Sequence, residues 1–269
     1  MIWLIRRLRG DFRAWERSTR IAFVMSMILL LVALILTVIA PPDARVPILV
    51  GIGLLLIVLE ASVLWGNRGM ISVFTRAQRL YMAGDLEAAR DLLEAARAAR
   101  PKADARTLTL LGNTYRQLGQ LHESEAVLSE AIDKAPERYF SFYGFGRTLL
   151  SEGRYAEAAD AIRRALELGA PAVVQADLGE AYYRLNQADD AIAALRAATN
   201  GGLGEPQRAL MVSYLLFRLG QGDPPTLDAV LSGLPYWEAT AERFQTTPYG
   251  TALMLDVRDM LNQGQGQGT

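Results

Sequence analysis

The strongest constraint on this chain is a pattern of small residues that returns every 33–35 residues between Ala77 and Ala198. Glycine or alanine fills the first column of the pattern, at Ala77, Gly112, Gly146 and Gly179. Small residues fill a second column at Ala89, Ser124, Ala158 and Ala191, and alanine alone fills a third, at Ala96, Ala131, Ala165 and Ala198. The pattern is typical of paired antiparallel helices, because two helices approach closely only where both present small side chains.

Prolines and turn residues divide the pattern into units. Prolines recur 35 residues apart, where each ends the second helix of a pair, at Pro101, Pro136, Pro171 and Pro206. Residues that tolerate left-handed backbone stand at the turn inside each pair, at Gly84, Gly119, Gly153 and Asn186. The sequence therefore predicts an all-α fold in which helix-turn-helix units stack into a solenoid.

These units resemble the tetratricopeptide repeat (TPR) family. The family's L-G-x-x-Y element is present as Leu111-Gly112 with Tyr115 and as Leu178-Gly179 with Tyr182. Two units depart from it, with Phe145-Gly146 and Leu149 in the third and Arg76-Ala77 and Leu80 in the first. The resemblance implies four repeats, at about residues 70–103, 105–138, 139–172 and 172–205.

The pattern weakens after Pro206. We interpret residues 206–233 as a degenerate fifth repeat, because Pro224 and Pro225 replace the small residues of its second helix. Residues 234–262 are expected to cap the solenoid with a closing helix over 248–262, since the last repeat would otherwise expose its apolar face. Residues 263–269 are expected to form a flexible tail.

By resemblance to the family, the first helices of the repeats line a concave groove that binds partner peptides. The candidate groove residues are Arg106, Thr109, Asn113, Arg116, Gln117, Phe140, Tyr143, Arg147, Glu180, Tyr183 and Arg184. Guanidinium groups suit carboxylates and tyrosine offers stiff contact area, so the favoured partner is an acidic or C-terminal segment of another protein. The alternative is that these residues are ordinary solvated positions. A chaperone-tail clamp is excluded, because Thr109, Gly144, Val173 and Asp177 occupy its other positions.

Two apolar stretches precede the repeats, at residues 21–40 and 46–65. Twenty helical residues span about 30 Å, the thickness of a membrane's apolar core, so they predict a transmembrane hairpin. A cleaved signal peptide fits poorly, because Pro41 would follow the cut after Ala40. Gly51 and Gly53 are expected to allow close helix packing, and Glu60 to pair with Arg17 or Arg20.

Arginines set the expected orientation of this hairpin. Six lie in residues 1–20, whereas the connecting loop holds only Arg45. Basic residues stay on the cytoplasmic side, so both termini are expected in the cytoplasm and the chain in the inner membrane, with residues 1–65 contacting lipid. Residues 1–20 are expected to form a basic amphipathic helix at the membrane surface; the alternative is a simple topology signal.

Composition excludes several classes of function. The chain has no cysteine, one histidine (His122) and a net charge of −1. Thiolate and multi-histidine metal sites are therefore impossible, and general nucleic-acid binding is disfavoured. No phosphate-binding loop or catalytic constellation is present, so we expect no enzyme activity, cofactor, metal or small-molecule substrate. The sequence favours a membrane-anchored TPR scaffold that binds proteins; the alternative is a structural subunit of a larger membrane complex.

Overall fold

A computed structural model of the chain describes residues 17–39, 41–67, 73–99 and 103–266. In those ranges the secondary structure is entirely helical, which confirms the all-α prediction. The chain divides into two compact units, residues 1–72 and residues 73–269.

The described part of the N-terminal unit consists of α1 (Arg17–Ile39) and α2 (Pro42–Asn67), which pack against each other. The predicted start of the second apolar helix at Val46 is wrong, because the helix begins at Pro42. Proline suits the first turn of a helix, where its missing amide hydrogen has no partner, and Asp43 favours the same turn through the helix dipole.

Most of the described side chains in α1 and α2 are apolar and exposed, and both helices are long and apolar enough to cross a membrane. The packing role expected for Gly51 and Gly53 is wrong within this unit, because a methyl group added at either would meet no atom within 4 Å. Glu60 is exposed, and the side chains of Arg17 and Arg20 lie outside the described residues. So do residues 1–16 of the expected interfacial segment.

Four helix pairs begin the C-terminal unit. They are α3 (Val73–Met82) with α4 (Leu86–Ala98), α5 (Ala105–Gln117) with α6 (Leu121–Lys134), α7 (Tyr139–Glu152) with α8 (Tyr155–Glu167), and α9 (Gln175–Arg184) with α10 (Ala188–Gly201). A 3-10 turn, Ala172–Val174, leads into α9.

The glycine column lies where the two helices of a pair cross. A methyl group added at Gly146 would come within 2.6 Å of Ile162 Cγ1, and one added at Gly179 within 2.6 Å of Leu195 Cγ. Both distances are shorter than any van der Waals contact, so the close crossing requires glycine there. The alanines of the third column, Ala131, Ala165 and Ala198, have no exposed surface.

Buried hydroxyl groups connect neighbouring repeats. Ser124 Oγ donates to the carbonyl of Gly112 at 2.7 Å and lies 2.8 Å from Thr148 Oγ1. Thr109 Oγ1 lies 2.8 Å from Ser141 Oγ, between the first helices of the second and third repeats. Thr109 is therefore part of the packing between repeats.

Three further helices follow the fourth pair: α11 (Pro206–Arg218), α12 (Leu227–Arg243) and α13 (Pro248–Gly266). The boundary expected between residues 233 and 234 falls inside α12, because Pro224 and Pro225 precede the helix and Thr226 caps it. The expected start of the flexible tail at residue 263 is also wrong, since α13 continues to Gly266.

The C-terminal helices share the larger apolar core with the third and fourth repeats. This core contains Leu149, Ile162 and Leu195 from the repeats together with Trp237 and Leu253 from α12 and α13. A smaller core joins the first and second repeats through Leu93, Leu108 and Val127, among others.

Candidate functional site

The first helices of successive repeats, α5, α7, α9 and α11, carry the concave face on which the candidate groove residues lie. The C-terminal helices pack onto much of this face. The expectation that they cap only the last repeat is therefore wrong, and the concave face has a part that these helices cover and a part that remains open.

Helix α12 reaches back as far as the second repeat. Arg243 Nη1 donates to Gln117 Oε1 at 2.6 Å, and Arg147 Nη2 donates to the Tyr236 hydroxyl at 3.4 Å. Next to Tyr236, Trp237 Nε1 donates to the backbone carbonyl of Gln207 at 2.7 Å, and the residue is only 6% exposed. The side chains of Gln117 and Arg147 therefore already form hydrogen bonds with α12.

Helix α13 covers the C-terminal ends of first helices on the concave face, including α9 and α11. Arg184, whose side chain is only 7% exposed, pairs with Glu180 at 3.2 Å and with Asp256 of α13. Asp256 also accepts a hydrogen bond from the Tyr214 hydroxyl at 3.1 Å. Tyr183 lies beneath the Arg184 guanidinium, 5.6 Å from the ring centroid. Glu180 is 3% exposed and, like Arg184, is not open to a partner in this arrangement.

Asp177 is the centre of the polar network on the covered face. Its Oδ2 accepts from the Tyr143 hydroxyl at 2.7 Å and from Arg208 Nη1 at 2.8 Å, and its Oδ1 lies 3.4 Å from Arg147 Nε. Burial alone would raise the pKa of this carboxyl, but the charges of Arg147 and Arg208 outweigh it and lower the pKa. Asp177 therefore holds three successive first helices together as an ionised group.

Burial has the opposite outcome at Glu180. Loss of water around this carboxyl raises its pKa, because the attraction of Arg184 does not fully offset the cost of burying the charge. Two neighbouring carboxyls on α9 thus have pKa values displaced in opposite directions. Asp177 faces two arginines, whereas Glu180 faces one and also lies near the negative charges of Asp177 and Asp256.

A cavity of about 210 Å³ remains between the covered face and α12. Its lining includes the side chains of Gln117, Arg147, Asp177, Arg208, Tyr236 and Trp237. The mixture of guanidinium, carboxylate and aromatic groups gives a polar cleft. Among the described residues, no group of three or more histidine or acidic side chains is arranged to hold a metal ion.

The open part of the concave face belongs to the first two repeats and the start of the third. Arg106 is exposed, with its guanidinium 4.7 Å above the ring of Phe74. Asn113 and Phe140 are half-buried. Met82 is 77% exposed and occupies the same place in α3 as Gln117 does in α5. We call Phe74, Met82, Arg106, Asn113 and Phe140 the open concave surface.

The sequence reasoning missed Arg208, Tyr236 and Trp237, and it treated Asp177 only as a departure from a chaperone clamp. Tyr143 and Asp177 are 34 residues apart, a repeat-length spacing that could have indicated contact between neighbouring first helices. The sequence did contain one indication of a helix that packs on the solenoid. Two large aromatic residues, Tyr236 and Trp237, follow the last recognisable repeat, and such residues are usually buried.

The chain is similar in structure to several solved proteins. The thermophilic TPR protein TTC0263 of Thermus thermophilus is 19% identical, with a TM-score of 0.50, over 70% of this chain and 97% of that one. A MamA structure (41-end) from Desulfovibrio magneticus RS-1 is 20% identical, with a TM-score of 0.48, over 70% of this chain and 94% of that one. No curated protein matches the chain by sequence.

A tetratricopeptide repeat family profile matches three overlapping segments, residues 74–138, 109–173 and 143–207. Each segment spans about two of the helix pairs described above, and together they run from α3 to the start of α11. Residues 74–207 therefore belong to the tetratricopeptide repeat family, whose domains are scaffolds for binding other proteins.

Proposed function

We propose that this chain is a non-enzymatic, membrane-anchored scaffold that binds a protein partner at the cytoplasmic face of the inner membrane. In this proposal α1 and α2 cross the membrane and both termini are cytoplasmic. The length and exposed apolar surface of the two helices support the anchor, and the arginines of residues 1–20 support the orientation. Confinement to the membrane would raise the effective concentration of the repeat domain for membrane-bound partners.

Arg106 is the observation that carries the proposed partner chemistry. Its guanidinium has no carboxylate partner among the described residues, whereas Arg147, Arg184 and Arg208 all pair with acidic side chains. An exposed guanidinium above an aromatic ring suits a peptide that carries a carboxylate next to an apolar side chain. We therefore assign an acidic or C-terminal protein segment to the open concave surface.

A structural subunit of a larger membrane complex is the second candidate. The observation that favours it is the exposed apolar surface of α1 and α2, which other transmembrane helices could cover as readily as lipid. The two candidates differ in where the partner touches the chain. The scaffold uses the open concave surface, and the subunit uses α1 and α2.

Site-specific photo-crosslinking in intact cells separates these candidates. A photoreactive side chain replaces Met82 on the open concave surface, Val50 in α2, or the exposed Thr251 in α13 as a control position. We expect the chain to remain with membranes after alkaline washing and to form a protein adduct from position 82. Adducts from position 50 alone would favour the structural subunit.

Charge reversal then tests the chemistry of the site. Arg106→Glu is expected to reduce the adduct from position 82 by roughly tenfold or more, because it places a repelling charge where the carboxylate would bind. Arg258→Glu, a matched reversal at an exposed position of α13, should leave the adduct unchanged. An equal adduct in both variants would remove the acidic-segment assignment.

A further inference from the structure

The cavity of about 210 Å³ beneath α12 is lined by both apolar and charged side chains. The apolar ones are all buried and are Ala176, Met211, Val212 and Trp237. The charged ones have both signs and are Arg147, Arg208, Asp177, Glu180 and Glu205. A concave site of apolar side chains with a few convergent polar groups is the usual setting for a small organic ligand. The charges that such a ligand must carry depend on which of these groups lack close partners.

Arg208 and the two carboxylates that face it are already paired. The guanidinium donates to Glu205 at 2.9 Å, to Asp177 at 2.8 Å and to the Tyr143 hydroxyl at 3.0 Å, so each of its three nitrogens has a close acceptor. Asp177 also accepts a hydrogen bond from the Tyr143 hydroxyl at 2.7 Å. These groups therefore have little capacity to bind a ligand.

Arg147 has only long contacts. Its Nε lies 3.4 Å from Asp177 Oδ1, and its Nη2 donates to the Tyr236 hydroxyl at 3.4 Å. Hydrogen bonds between a guanidinium and a carboxylate normally measure about 2.7–2.9 Å. Within the described part of the chain, the proton of the Tyr236 hydroxyl has no acceptor. Arg147 and Tyr236 can therefore both donate to a carboxylate in the cavity.

Glu180 is the carboxylate that lacks positive charge. The residue is 3% exposed, and among the described residues only Arg184 donates a hydrogen bond to it, at 3.2 Å. Arg184 is shared with Asp256. Burial raises the pKa of Glu180 because this one arginine does not offset the loss of water and the nearby negative charges. A cationic group in the cavity would stabilise the ionised carboxylate.

We propose that this cavity binds one free aliphatic α-amino acid of about the size of valine or leucine. Arg147 and the Tyr236 hydroxyl hold its carboxylate, and Glu180 holds its ammonium group. Val212 and Trp237 contact its side chain. A molecule with both charges on one carbon atom serves both groups, whereas a simple anion or cation leaves one of them without a partner. A cavity of about 150 Å³ admits benzene, so about 210 Å³ suits a molecule somewhat larger than benzene.

The bound amino acid has a structural consequence. It lies between Glu180 on α9 and Tyr236 on α12, so it stabilises the position of α12 on the concave face. Any ligand that binds the folded chain and not the unfolded one raises the apparent stability of the fold by mass action. The inference is independent of the membrane anchor and of the protein partner, because it concerns only contacts inside the repeat domain.

Isothermal titration calorimetry of the full-length protein in detergent micelles tests the ligand class. L-Valine or L-leucine is expected to bind saturably. Two analogues of leucine each lack one charge: isoamylamine has no carboxylate, and isocaproate has no ammonium group. Each is expected to bind about tenfold more weakly than leucine or worse, because one buried group of the cavity then has no partner. No saturable heat from either amino acid, or equal affinities for leucine and isocaproate, would overturn the proposal.

Two variants test the position of the site. Ala176→Leu fills the cavity, leaves every charged group in place and is expected to abolish leucine binding, whereas Ala193→Leu, at an exposed position of α10, should bind as the wild-type protein does. Glu180→Gln keeps the size of the side chain and removes its charge. It is expected to weaken leucine binding about tenfold and to leave isocaproate binding unchanged, because isocaproate has no ammonium group. Wild-type affinity for leucine in Ala176→Leu or in Glu180→Gln would overturn the proposal.

Discussion

Replacing Trp237 with alanine is expected to lower the free energy of unfolding by about 3–5 kcal/mol, the usual cost of removing a large buried aromatic side chain. The indole joins α12 to α11 through its hydrogen bond to the carbonyl of Gln207 and packs edge-on against Tyr236, with ring centroids 5.0 Å apart. Its loss leaves a cavity at the point where α12 turns onto the concave face. Urea denaturation followed by circular dichroism measures the change in the full-length protein.

Leu231→Ala is the matched control for this change. Leu231 stands on the same helix but is 67% exposed, so its truncation should alter the stability by a few tenths of a kcal/mol. A similar small loss in both variants would mean that α12 does not pack on the repeats as described. A large loss for Trp237 alone would agree with a helix that is part of the core.

Asp177→Asn is expected to have an effect of similar size, about 3–5 kcal/mol at neutral pH, because it leaves the largely buried Arg147 without a carboxylate and leaves Arg208 with only the exposed Glu205. Arg147 and Arg208 would then repel each other beside Tyr143. The matched control is Asp160→Asn, which removes an exposed ion pair with Arg163 on the surface of α8. Exposed pairs contribute little, so this variant should unfold almost as the wild-type protein does.

The pH dependence of this difference gives a separate check. The pKa of Asp177 is lowered in the folded protein, so its stabilising contribution is present above the ordinary carboxyl pKa and is lost as the pH falls through the lowered value. The gap between the wild-type protein and Asp177→Asn should therefore be full at neutral pH and shrink below about pH 4. Comparing the two proteins matters, because the pKa of Glu180 shifts in the other direction in the wild-type fold. A gap that stays constant down to about pH 2 would contradict the pairing.

The helix pairs could be predicted because their contacts are local in sequence. Gly146 packs against Ile162 within one repeat. Each repeat has small residues at the corresponding positions, so each one indicates the same close packing of its two helices. Turns follow the same rule: Asn186 adopts a left-handed backbone, with a φ of 59°, where the other units have glycine. Because one pattern occurs four times, the helix pairs and their stacking could be predicted without knowing any contact between residues distant in sequence.

The fold-back of α12 and α13 could not be predicted in this way. The hydrogen bond between Gln117 and Arg243 joins residues 126 positions apart, and no periodic pattern connects them. Arg116 illustrates the consequence, because counting helix positions placed it on an open groove and the structure buries it beneath α12. Arg106, ten residues earlier on the same helix, lies beyond the reach of α12 and remains exposed.

The covered concave face limits where a partner can bind. A peptide that used Arg147, Glu180 or Arg184 would have to displace α12 or α13 and their ion pairs. The open concave surface requires no such displacement, because Arg106 and Met82 are already exposed. This division of the face depends on the position of α12.

Cross-linking through introduced cysteines tests that position most directly, and the natural chain contains no cysteine to interfere. Gln117→Cys combined with Arg243→Cys should react efficiently with a short bifunctional thiol reagent, since the two native side chains are 2.6 Å apart. Gln117→Cys combined with Leu231→Cys should not react. Leu231 lies about 18 Å from Arg243, toward the N-terminal end of α12, at about 1.5 Å per residue. Efficient cross-linking of the first pair alone is the expected result. Equal cross-linking of both pairs, or of neither, would contradict the covered concave face.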